Sequence, residues 1–79
     1  MVNVLASAFV LINTELGQEP NVFKALEGVS EVTEAHQVYG VYDIIVKVET
    51  ESMEELKDIL HQKLRRMDGI RSTLTMIVT

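Results

Sequence analysis

The sequence predicts an α+β domain of the ferredoxin-like type: an antiparallel four-stranded sheet with two helices on one face, in the order β-α-β-β-α-β. Three observations carry this. Gly17, Pro20, Gly28, Gly40 and Gly69 cut a chain of 79 residues into six pieces. Two pieces have helical periodicity and four read as extended. Right-handed crossovers between those strands then give the split βαβ arrangement for this order.

Val2 to Asn13 reads as the first strand, rich in Val, Ile and Phe. The stretch TELGQEP turns the chain, and Pro20 suits the first turn of a helix, where its missing N–H is no loss. Val22, Phe23, Ala25 and Leu26 form the apolar stripe of that helix, with Gly28 as its stop. Val29 to Tyr39 is a second, more polar extended piece. Tyr42 to Glu49 is the third strand, in which Tyr42, Ile44, Val46 and Val48 alternate with Asp43, Ile45, Lys47 and Glu49.

The second helix opens on Ser52 followed by Glu55, a capping box that satisfies orphan N–H groups. Met53, Leu56, Ile59, Leu60, Leu64 and Met67 recur at helical spacing. Acidic residues near its start and basic residues near its end complement the helix dipole. Gly69 ends it, and IRSTLTMIVT is the last strand.

One chain of this length is a single domain, residues 1–79, and a domain this small buries only about 60% of the surface its unfolded chain exposes. Without cysteines, disulfides and thiolate metal sites are excluded, and two histidines make no metal cluster. Small domains of this kind often gain stability by association. The first strand points the same way. One side carries Val4, Ala6, Ala8, Val10 and Ile12, the other Leu5, Ser7, Phe9 and Leu11, so both sides are apolar where a half-solvated sheet alternates apolar with polar. The helices cover one face, and a second subunit is expected on the other.

The formal charge is −5, with 12 acidic and 7 basic residues. That balance lacks the cationic footprint of a nucleic-acid reader. The apolar N-terminal stretch has no basic leader and is too short to span a bilayer, which takes about 20 residues. No membrane association is expected, and a cytoplasmic setting is.

No nucleophile–base arrangement, phosphate loop or dinucleotide fingerprint is present. The candidates cluster instead in QVYGVYDIIVKVE, residues 37–49. Asp43 stands at the start of a buried strand, where a carboxylate needs a partner. That partner is either the N–H groups of the hairpin turn or a cation such as a ligand ammonium. Gly40 serves either as a turn residue or as an opening onto main-chain N–H groups able to hold a carboxylate. Thr73 and Thr75 are strand formers that also offer hydroxyls.

The chain resembles the effector-binding RAM domain of the Lrp/AsnC regulators. VYGVYDIIVKVE matches the family's Gly-x-aromatic-Asp hairpin, SMEELKDILHQKLRRMDGI its second helix, and STLTMIV its Thr-rich last strand. The resemblance implies a non-enzymatic, amino-acid-sensing module that acts in transcription or amino acid metabolism, without cofactor or metal. It implies dimers paired through their sheets and assembled into octamers or decamers, with the effector between dimers near the second hairpin. By position it assigns Gly40 and Asp43 to the site, with Val38, Val41 and Tyr42 bordering them. Met53, Thr73, Thr75 and Met76 fall at or near it. The family's helix-turn-helix domain is not in this sequence, so direct contact with nucleic acid is not expected, and a full-length Lrp/AsnC relative is the expected regulatory partner. Two other readings share the topology: an ACT-like amino-acid-binding domain paired side by side, and a small dimeric α/β-barrel enzyme.

Overall fold

The computed structural model describes residues 6–79. Strand β1 (Ala6–Thr14) is followed by helix α1 (Glu19–Glu27), strands β2 (Val32–Gln37) and β3 (Ile44–Thr50), helix α2 (Met53–Ile59), a π-helical turn (Leu60–Leu64) and strand β4 (Ile70–Ile77). The sheet is antiparallel in the order β2-β3-β1-β4, as the ferredoxin-like reading requires. Residues 2–5 of the expected first strand lie outside the described residues.

Strict alternation of burial along β1 and β3 shows which face the helices cover. Ala6, Ala8, Val10 and Ile12 and their cross-strand partners Val46, Val48 and Ile44 are buried against Val22, Leu26, Leu56, Ile59, Leu60 and Leu64. Side chains of period two on the strands and near 3.6 on the helices meet in one core.

The N-termini of the helices form as the sequence predicts. Pro20 occupies the first turn of α1. The Ser52 hydroxyl accepts the Glu55 N–H at 3.1 Å. Gly28 does stop α1, but in a right-handed conformation, its N–H bonding back to Ala25. Gly69 is the glycine that the fold needs sterically. Its φ is 91°, and a Cβ there would stand 2.8 Å from Cγ2 of Val22. Its carbonyl accepts the Glu15 N–H at 2.7 Å, which ties the start of β4 to the end of β1.

The second and third strands and the second helix differ from the expectation, and β4 ends at Ile77, short of Thr79. The second strand is shorter, Val32–Gln37 in place of 29–39, because Val29 folds back against α1 and Val38 to Asp43 form the connecting loop. The third strand starts at Ile44, after that loop. The second helix is not α-helical throughout: the Arg65 N–H bonds the Leu60 carbonyl at 3.1 Å, an i→i+5 closure. Leu60 and Leu64 stay buried across that wider turn.

Candidate functional site

The loop between β2 and β3 is closed by one main-chain bond, from the Val38 N–H to the Asp43 carbonyl at 2.9 Å. Val38, Tyr39 and Val41 are exposed at its tip, Tyr39 and Val41 almost wholly. Gly40 has φ 158°, a positive value that L side chains rarely adopt, although a Cβ there would meet nothing within 4 Å. Glycine is therefore favoured at this position by the backbone conformation and not by crowding.

Asp43 is half-buried at the base of the loop. Its Oδ2 accepts two hydrogen bonds from Thr14: the main-chain N–H at 2.9 Å and the hydroxyl at 3.2 Å. The Asp43 N–H in turn donates to the Ile12 carbonyl at 2.9 Å. The carboxylate thus fastens the end of β1, 29 residues away, and not the hairpin's own N–H groups. Oδ1 has no partner among the described residues and is not sealed from solvent.

Asp43 and Gly40 line one cleft of about 580 Å³, together with Glu19, Gln37, Val38 and Tyr39. Its acidic walls are the carboxylates of Glu19 and Asp43, and no basic residue among the described residues lines it, a setting that favours a cation. Glu19 comes from the first turn of α1 and Gln37 from the end of β2; neither is marked in the sequence as a site residue. The signal was there only indirectly, since Glu19 adjoins Pro20 at a helix start that the topology carries back to the hairpin.

The remaining expected site residues do not meet in this cleft. Val41 and Tyr42 belong to the loop but not to the cleft lining. Met53 begins α2, beyond the far end of β3, which by seven residues of strand is roughly 20 Å away. Thr73 and Thr75 open onto a second groove, between β4 and the helical segment. Met76 lies on the opposite sheet face, paired with Phe9.

That opposite face is apolar. The β1–β4 register places Phe9 beside Met76 and Leu11 beside Leu74, and β3 adds Ile45 next to Leu11. Leu74 and Met76 are each nearly half exposed. At the rim Asn13 donates to the Ser72 hydroxyl at 3.3 Å, and the Lys47 ammonium lies 5.7 Å from the centre of the Phe9 ring. His36 sits beside exposed Glu34 at 3.3 Å, and neither lines the Asp43 cleft.

The family model of the Lrp/AsnC ligand binding domain matches residues 7–79. The chain belongs to this family. As a Lrp/AsnC ligand-binding domain it is 36% identical over 76 residues to the HTH-type transcriptional regulator FL11 of Pyrococcus furiosus, covering 96% of this chain and 48% of FL11. It superposes on the crystal structure of FFRP-DM1 with a TM-score of 0.92 and 43% identity, covering 95% of this chain and all of that one. The structure of AsnC from E. coli gives a TM-score of 0.85 at 35% identity, over 92% of this chain and 50% of AsnC. The domain spans about half the length of the curated relatives it matches, and those named here are transcription regulators.

Proposed function

We propose that this domain is an effector-sensing assembly module: a second copy covers the open sheet face, and a small amino acid binds at the Asp43 cleft. The observation that carries the ligand half is the divided role of Asp43. One oxygen holds Thr14, and the other is left to receive an ammonium in a cleft whose second charged wall, Glu19, is also acidic. Among the described residues the loop N–H groups around Gly40 make no main-chain bond, which leaves them able to donate to a carboxylate. A cation acceptor beside anion donors fits an α-amino acid.

The assembly half rests on the open face. Four strands about 4.8 Å apart, with β1 nine residues long, make a face of roughly 500–600 Å² before side-chain relief is counted, close to the ~800 Å² per partner of a stable interface. Its apolar centre favours sheet-on-sheet pairing over the side-by-side pairing of an ACT-like domain. Met53 and Met76, distant from Asp43 in one protomer, reach a shared effector site only if neighbouring copies supply them. Ring assembly to octamers or decamers brings copies together in that way. The effector then acts by linkage, favouring the assembly in which its site is complete. A full-length Lrp/AsnC regulator is the partner through which such a response reaches transcription.

Calorimetry against the twenty amino acids, with the mass followed in parallel, tests this reading. At least one amino acid gives saturable heat with the native chain and none with Asp43→Asn. No heat at millimolar ligand while the assembly is intact overturns it.

A further inference from the structure

The second groove, between the helical segment and the edge strand β4, has a chemistry unlike the Asp43 cleft. Its volume is about 500 Å³. Lys57, His61 and Arg65 line its helical side, Thr73 and Thr75 with the apolar Leu74 and Ile77 its strand side, and the buried Leu60 adjoins the three basic residues. None of the three basic side chains has an ion-pair or hydrogen-bond partner among the described residues, although the chain is acidic overall. By contrast Lys63, on the same segment, pairs with Glu31 at 3.3 Å.

The π-helical turn explains why three basic residues share one groove. In an uninterrupted α-helix each residue advances about 100°, which would leave Arg65 about 80° round the axis from Lys57. The i→i+5 turn over Leu60–Leu64 is wider and advances less per residue. It swings Arg65 back toward the line of Lys57 and His61. The register of β4 on β1 sets Thr73 opposite Ile12 and Thr75 opposite Val10, so both hydroxyls stand on the helix side of the sheet.

We infer that this groove is a binding site for a small organic oxyanion, a carboxylate or phosphate group carried on a short apolar body. Lys57 and Arg65 supply charge-assisted donors, and Arg65 a planar fork suited to two oxygens. The threonine hydroxyls complete the donor set, and Leu60 meets the apolar body. The site is separate from the acidic Asp43 cleft and does not depend on the effector reading of that cleft.

The test is a titration of the full chain, labelled with ¹⁵N and at low salt, with inorganic phosphate and with straight-chain monocarboxylates from acetate to hexanoate. Saturable shifts centred on residues 57–65 and 73–75 are expected. Tighter binding with chain length identifies a carboxylate ligand, and saturation by phosphate alone a phosphorylated one. Lys57→Gln with Arg65→Gln weakens binding by about tenfold or more, the loss expected for charged hydrogen bonds. Asp43→Asn leaves it within about twofold, because it removes no donor from the groove. Both helical side chains are exposed, so the double variant folds, which its spectrum verifies directly. The inference is overturned by the absence of saturation up to about 50 mM of every probe. It is equally overturned by shifts centred on the Asp43 cleft, by unchanged affinity in the double variant, or by a fall in assembly mass when that variant is made without any anion. The last result makes the groove a contact between copies.

Discussion

Replacing Asp43 separates the two jobs of its two oxygens. Asp43→Ala removes the acceptor for the Thr14 N–H at 2.9 Å and the Thr14 hydroxyl at 3.2 Å, at a residue that is only 7% exposed. A buried N–H left without a partner costs about 1–3 kcal/mol, and the longer hydroxyl bond, free to rotate, about 0.5–1 kcal/mol more. The expected loss is therefore about 2–4 kcal/mol. In a domain of this size that lowers Tm by about 10–25 °C. Asp43→Asn keeps one acceptor oxygen for Thr14 but loses the charge and turns the other oxygen into an NH2 donor, so about 1 kcal/mol is expected. Urea unfolding at one fixed protomer concentration measures both, since association shifts the apparent stability by mass action. The two variants are expected to part in stability yet agree in failing to bind the amino acid. Equal stability for Ala and the native chain, within about 0.5 kcal/mol, refutes the anchoring role. Retained binding in Asn refutes the ammonium role.

Other consequences follow from single contacts. Gly69→Ala places a Cβ 2.8 Å from Val22 at a φ of 91°, so strain and overpacking together destabilise by about 2–4 kcal/mol, readable in the same urea assay. Gly40→Ala meets nothing within 4 Å but places a Cβ-bearing residue at φ 158°, so it is expected to cost about 1–3 kcal/mol in stability while reducing effector binding measured by calorimetry. Glu31 carries a pH dependence. Its own main-chain N–H first, and then the Lys63 ammonium, hold its carboxyl below the ordinary value of 4.5. Its contribution to stability is therefore present above about pH 4.5 and disappears as pH falls through the lower folded value. Glu31→Gln flattens the acid limb of a stability–pH curve in that window, and an unchanged limb contradicts the assignment.

Much of this architecture is legible in the sequence because local signals agree with one another. Ser52 with Glu55, Pro20 after a turn, and the two apolar sides of the first strand each point to the element and face that the structure contains. The π-helical turn is not legible: Leu60 and Leu64 are four residues apart, and a spacing of four buries both in an α-helix or in the wider turn. Packing against the sheet decides between them. The cleft is legible in part. Gly40 and Asp43 stand in one short loop, whereas Glu19 is brought to them by the crossover through α1, and Thr14 by the β1–β3 register. Glu19 and Thr14 lie 24 and 29 residues from Asp43 in the chain, and no local pattern encodes their approach. The family resemblance groups Thr73 and Thr75 with Asp43, and their place on the helix side of an edge strand follows only from the pairing of β4 with β1.

In the proposed assembly a second copy of the chain covers the apolar sheet face made by Phe9, Leu11, Ile45, Leu74 and Met76. Sedimentation velocity of the native chain and of Leu11→Glu at micromolar concentration tests it most directly. The native chain is expected to show no 8.9 kDa species, and the substitution, which sets a charge at the centre of that face, to release monomer or unfold it. A folded, monodisperse 8.9 kDa monomer from the native chain contradicts it.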